Sequence, residues 1–230
     1  MLSKVRRLHY ITVLTAQIFL LFIAAVMEHH IILTVLFIVS LFGIFGSIIS
    51  TVWGSSRTRY LSLIIAAIAI VSGLLGFFPV FTDYAIRTGL TVCCLSYATF
   101  ILIAIVSIGR NVFVTDRVTA NRIVGSICVY MLLGMFFAFI YASMALIHGS
   151  MFSMSEQSSP GKFMALRDFI YFSYSTLTTT GYGDILPTNP IARMVSCLES
   201  IAGSVYLAIM VARLVGMHVT QAHQHHEASE

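Results

Sequence analysis

Five long stretches of this chain carry no Asp, Glu, Lys or Arg: Leu8–Met27, Ile31–Trp53, Tyr60–Phe81, Thr88–Gly109 and Ile123–His148. Each is at least as long as the roughly 20 residues a helix needs to cross a bilayer's hydrocarbon core. A sixth stretch, Ile191–Gly216, is equally long but holds Arg193, Glu199 and Arg213. The pattern predicts an all-α membrane protein with six transmembrane helices. The segment Gly149–Pro190, between the fifth and sixth, is too long for a turn and too rich in Ser, Thr and Gly for a span. The loops Gly54–Arg59 and Thr82–Arg87 are tight, so the second and third spans, and the third and fourth, should be antiparallel neighbours. The boundaries are a four-helix transmembrane domain at 1–109, a cytoplasmic linker at 110–122, a unit of the last two spans with the segment between them at 123–216 and a short tail at 217–230. The linker is basic and partly apolar (Val112, Phe113, Val118). It reads equally as an amphipathic surface segment or as an ordinary polar loop.

Composition strengthens this picture. Of 230 residues, 58% are hydrophobic and 10% charged, where soluble domains carry about 25% charged residues. A soluble enzyme, a secreted disulfide scaffold and a disordered chain are excluded. The four cysteines, Cys93, Cys94, Cys128 and Cys197, sit inside apolar spans without metal-ligand spacing and read as small buried hydrophobes.

The net charge of +4 could suggest nucleic acid, but membrane proteins collect Lys and Arg on cytoplasmic loops. With a cytoplasmic N-terminus, nine of the 13 basic residues fall inside: Lys4, Arg6, Arg7, Arg57, Arg59, Arg110, Arg117, Arg122 and Arg213. Arg87, Lys162, Arg167 and Arg193 fall outside. Both termini are then cytoplasmic, and no nucleic-acid partner is expected. The first apolar run is longer than a signal-peptide core, and the bulky Met27-Glu28-His29-His30 follows it, which favours a retained span. The tail after Gly216 is short, so no soluble regulatory domain is expected there. Its histidines, His218, His223, His225 and His226, read first as a polar disordered tail and second as a weak metal or pH sensor.

The chemistry concentrates in the segment between the last two spans. Asp168–Leu177 is aromatic and apolar and forms about three helical turns. Asp168 suits the positive N-terminal end of such a helix. A pore helix at 168–178 cannot span a bilayer, and Thr179-Thr180-Gly181-Tyr182-Gly183-Asp184 follows it as extended chain. A short helix plus glycine-rich chain between two full spans is a re-entrant loop. Irregular backbone at membrane depth is tolerated only where it is buried in protein or lines a watery cavity. Alternating right- and left-handed backbone turns successive carbonyls to one side, and glycine accepts positive φ without penalty. Gly181 and Gly183 bracket such a run. A ring of such carbonyls can replace the water shell of a cation. Tyr182 would wedge the strand against surrounding helices, and the pore helix would direct its negative end toward the cavity.

Thr179–Asp184 resembles the TVGYGD signature of potassium channels, with Thr180 in place of the usual Val. Leu186-Pro187 and Pro190-Ile191-Ala192-Arg193 resemble the descent into the inner helix of prokaryotic potassium channels. Gly203 stands where that family often has a hinge glycine. The resemblance covers roughly Ile123–Gly216. It implies an outer helix at 123–148, a filter at 179–184, an inner helix at 191–216 and a location in the cell (inner) membrane. It also implies K⁺ coordination by Thr179, Thr180, Gly181 and Tyr182, with Gly183 completing the filter and Asp184 anchoring its outer end. Tyr182 is intact, so potassium selectivity is expected. Position 175 is Ser, where some bacterial channels have a Glu behind the filter. Potassium is the permeant ion, and no cofactor is implied. One chain supplies one filter strand and a closed ring needs four, so the expected partners are three further copies and the lipid bilayer.

Three residue sets stay open. Glu199 is an acid inside a span, a functional candidate by default. It could hydrogen-bond the back of the pore helix through Ser173, Ser175 or Thr176, serve as a protonated structural acid, or face the pore. Gly203 is a candidate hinge, and Met210 with Leu214 a candidate hydrophobic gate. The fourth span carries no basic residue, and Arg87 and Arg110 only flank it, so little intrinsic voltage dependence is expected. The pairs Gly43 with Gly46 and Gly73 with Gly76 suggest close helix packing. No HExxH, paired intramembrane Asp or GxSxG motif is present, so an enzyme is not expected. The alternatives are a non-conducting or accessory subunit and a weakly selective cation channel. A potassium uptake transporter would need four degenerate filter loops in one long chain.

Overall fold

The computed structural model describes residues 2–26, 64–65, 67–68, 83–113, 120–149, 151–154 and 166–227. The second predicted span, and the third apart from four residues, lie outside these, as do Gly43, Gly46, Gly73 and Gly76.

Helix α1 (Leu2–Val26) is apolar on every side over Tyr10–Ile23. Tyr10, Val13, Leu20 and Ile23 turn inward at three- to seven-residue spacing, while Ile11, Ile18, Phe19 and Phe22 are exposed. A soluble helix would place polar residues on that outer face, and an apolar one suits lipid. Helices α2 (Asp83–Phe113) and α3 (Ala120–His148) repeat the arrangement. Phe100, Ala104 and Ile108 of α2 pack against Cys128, Leu132 and Phe139 of α3, while Leu95, Leu102 and Val106 face outward. Tyr97 stacks on Phe139 with ring centroids 5.1 Å apart. Among the described residues three segments are long and apolar enough to cross a membrane: Ile86–Val112, Asn121–His148 and Pro190–Arg213.

Helix α3 is the centre of the assembly, touching α1, α2 and the two helices that follow. It ends at Gly149, whose φ of 71° is the left-handed closing turn and whose N–H reaches Ala145 O at 2.8 Å. The chain then forms strand β1 (Phe152–Met154), helix α4 (Leu166–Leu177), strand β2 (Ile185–Pro187) and helix α5 (Pro190–Glu227). The strands pair antiparallel, Phe152 opposite Pro187 and Met154 opposite Ile185. Phe152 also meets Tyr141, Phe169 and Phe172 edge-on, closing a second apolar cluster over the ends of α3 and α4. This two-stranded cap has no signal in the sequence, because three-residue strands are shorter than any periodicity can reveal.

Several helices outrun the apolar blocks that predict them. Helix α2 includes residues 83–87 and 110–113, and α5 continues eleven residues past Gly216 through the histidine-rich segment expected to be disordered. Neither extension contains a Pro, and Met217–Glu227 has no Gly. Charge marks where lipid contact ends, whereas a helix continues until a breaker or cap stops it. The start of α5 carries its own signal. Pro190 occupies the first helical position, and Asn189 Oδ1 accepts the Ile191 N–H at 2.8 Å. Replacing Asn189 with Ala should lower the thermal midpoint of the detergent-solubilised protein, by the equivalent of about 1 kcal/mol. Asn189→Ser should restore it.

Candidate functional site

The site is built on the C-terminal end of α4. A helix leaves its last carbonyls without internal partners, and here the following chain supplies them. The Thr178 N–H and hydroxyl donate to Tyr174 O, at 3.0 and 2.7 Å. The Thr179 N–H donates to Thr176 O at 2.9 Å. The Thr180 and Gly181 N–H groups converge on Ser175 O at 2.8 and 3.1 Å. Leu177 O accepts the Tyr130 hydroxyl from α3 at 3.3 Å.

These bonds orient the strand. No peptide here is cis, so each carbonyl lies opposite the N–H of the next residue. With the N–H groups of residues 179–181 directed to α4, the carbonyls of Thr178, Thr179 and Thr180 turn away from it together. The handedness alternates as expected: φ is 59° at Thr179, 56° at Gly181 and 79° at Gly183. Thr179 is the departure, a β-branched residue in a region that normally disfavours it. Its hydroxyl donates to Thr178 O at 2.6 Å, and the Thr178 and Thr180 hydroxyls meet at 2.8 Å. Residues Thr178–Gly183 are exposed in the single chain.

The sequence-predicted supports act in ways the sequence does not show. Ser175 contributes its carbonyl, while its hydroxyl stays within its own helix on Phe172 O. Asp184 meets the Tyr171 hydroxyl, and the Tyr171 ring stacks on Tyr182 with centroids 5.9 Å apart. Partial burial, then this contact with Asp184 and its negative charge, push the Tyr171 phenol up to about 12. Asp168 lies in the first turn of α4, 3.5 Å from Arg167.

Behind the strand, Glu199 is 0% exposed, buried among the helices of the single chain. It accepts the Tyr141 hydroxyl at 2.6 Å and lies 2.5 Å from the Ser173 hydroxyl. Tyr174 donates to Met131 O at 2.7 Å, and its ring fills the space left at Gly134. One turn beyond Glu199, Gly203 is buried where α5 crosses the end of α4. A Cβ there would stand 2.6 Å from Leu177 O and 2.8 Å from its Cδ1. Gly203 is thus a close-packing contact at the expected hinge position. Met210 is half-buried, and the Leu214 side chain lies outside the described residues. Tyr141, Tyr171, Tyr130 and Tyr174 are missed by the sequence reading, whose only trace of them is the aromatic density of α3 and α4. Among the described residues no group of three metal-ligating side chains forms.

Two predictions follow from this packing. Gly203→Ala forces α5 off α4 and should destabilise the protein by about 1–3 kcal/mol, read as a lowered thermal midpoint. For Tyr171 the raised value means its bond to Asp184 stabilises fully below pH 10 and is lost as pH rises through about 12. The stability gap between wild type and Tyr171→Phe should be constant from neutral pH to about pH 10 and shrink as pH rises toward about 12, measured as thermal midpoints across a pH series.

Residues 140–219 match a family model described as "Ion channel". Mouse and human "Potassium voltage-gated channel subfamily A member 10" are each 29% identical over 83 residues, 36% of this chain and 16% of theirs. "Protein LctB" of Geobacillus stearothermophilus is 36% identical over 86 residues, 37% of this chain and 62% of that protein. The chain therefore spans less than two thirds of each relative. No solved structure matches. The chain is a multi-pass membrane protein whose residues 140–219 match an ion-channel family and are potassium-channel-like.

Proposed function

We propose that four copies of this chain form a potassium-selective pore that conducts K⁺ passively across the cell membrane. The observation that carries this reading is the orientation of the Thr179 and Thr180 carbonyls, turned together away from α4 by hydrogen-bonded N–H groups. Four such strands around one axis would offer stacked rings of oxygens that replace the hydration shell of a dehydrated K⁺. Thr179, Thr180, Gly181 and Tyr182 would coordinate the ion, and Gly183 and Asp184 would close the outer mouth. Gly203 would let α5 bend, and Met210 with Leu214 would narrow the cytoplasmic end. Both termini would be cytoplasmic by the distribution of basic residues. No basic residue lies within Thr88–Gly109, so opening would depend little on voltage.

Purified protein in liposomes under a K⁺ gradient tests this. K⁺ flux blocked by external Ba²⁺ and unsupported by Na⁺ is the expected result. Equal Na⁺ and K⁺ flux would make the pore weakly selective, and no flux would make the chain an accessory subunit. Gly181→Ala, which places a side chain at φ 56°, should abolish the K⁺ preference, since left-handed backbone costs an L-residue about 1–2 kcal/mol in each of four strands.

A further inference from the structure

Three short oxygen contacts meet around Glu199, and together they determine where the protons lie. The Tyr141 hydroxyl is 2.6 Å from Glu199 Oε2. The Ser173 hydroxyl is 2.5 Å from Glu199 Oε1 and 2.6 Å from Gly134 O. Gly134 O is a backbone carbonyl and has no proton to give, so the contact with it uses the one proton of Ser173. Tyr141 likewise has one, and it goes to Oε2. The Ser173–Oε1 contact then lacks a proton unless Glu199 supplies it. Were Glu199 ionised, lone pairs would face each other at one of the two Ser173 contacts. Ser173, Tyr141 and Glu199 are all 2% exposed or less, so water could not relieve that repulsion.

The surroundings agree. Among the described residues, the titratable groups facing Glu199 are Tyr130 and Tyr141 on α3 and Tyr174 on α4, with Cys197 two residues away on its own helix. None is basic, and a buried carboxylate without a cation is costly.

We infer that Glu199 is a neutral acid that donates to Ser173 and accepts from Tyr141, a proton-dependent latch joining the inner helix α5 to the pore helix α4 and the outer helix α3. Its place explains why the proton matters for the pore, a consequence that rests on the channel reading above. Glu199 lies one turn from the Gly203–Leu177 contact, and Leu177 is the residue from which the filter strand departs. Removing the proton leaves Ser173 with one proton for two acceptors, so its contact with either Glu199 or Gly134 O breaks and α4 is freed to shift against α5 or α3. Glu199 is a positioning residue in this scheme and touches no ion.

Infrared spectroscopy and flux test the two parts separately. Wild-type protein at neutral pH should show a protonated-carboxyl C=O stretch that shifts in D₂O and is missing in Glu199→Gln. Ser173→Ala should move that band to higher frequency, because the acid loses its acceptor. K⁺ flux of the wild type, with pH equal on both sides, should fall several-fold as pH is raised into the alkaline range. Glu199→Gln should retain flux and lose that fall, since its amide N–H₂ replaces the donor and its carbonyl still accepts from Tyr141. Glu199→Ala should reduce flux at every pH. Absence of the difference band would overturn the protonated acid. Identical pH profiles for wild type and Glu199→Gln would overturn the latch. A wild type with the band but no K⁺ flux would keep the protonated acid and reject the channel reading.

Discussion

The structure depends on how one short helix ends. Helix α4 is twelve residues long and terminates among membrane-length helices, where its last carbonyls cannot count on water. Their partners are the N–H groups of the residues that follow, together with one tyrosine hydroxyl from α3. Satisfying the helix end consumes the donors of the strand and leaves its carbonyls facing the other way. The property that makes the strand a candidate ion path is therefore a by-product of closing a helix. Left-handed backbone at positions 179, 181 and 183 lets the strand stay extended while doing so.

That arrangement holds only if α4 is itself held. Three residues without side-chain bulk or with a single hydroxyl do much of this. Gly134 admits the Tyr174 ring, Gly203 admits Leu177, and Ser173 reaches Gly134 O and Glu199 together. Around them tyrosines act as braces, apolar along the ring and polar at the tip. Tyr130, Tyr174 and Tyr206 each place a hydroxyl on a backbone carbonyl of another element or turn. The outer end is fastened separately, by the β1–β2 pair, by Phe152 among the rings of α3 and α4, and by Tyr171 against Tyr182 and Asp184. The strand is thus supported at its base, along its back and at its mouth by elements distant in sequence.

Much of this plan is legible before folding. The helices expected at 168–178 and 123–148 overlap α4 and α3. Gly181 and Gly183 have the positive φ that their lack of a side chain suggests. Helix ends are less legible, because charge marks where lipid contact ends and not where a helix stops. Arg110, Asn111 and most of 217–227 are charged or polar yet helical, since polarity alone does not break a helix. Glu199 stood out as an acid in a span, and Ser173 was among three possible hydroxyl partners. Tyr141 was not, because it lies 58 residues away on another helix.

Sequence alone indicates a membrane protein, the apolar helices at Ile86–Val112, Asn121–His148 and Pro190–Arg213 and the positive φ of Gly181 and Gly183. These follow from local properties: the run length of apolar residues and the backbone freedom of each residue. The tertiary structure decides which side chains meet: Glu199 with Ser173 and Tyr141, Asp184 with Tyr171, Gly203 with Leu177, β1 with β2. Such pairings depend on how each helix is rotated and where it crosses its neighbours, and no local pattern encodes either. The state of Glu199 belongs to this second group, because a serine hydroxyl set between Gly134 O and the Glu199 carboxyl exists only after three helices have packed.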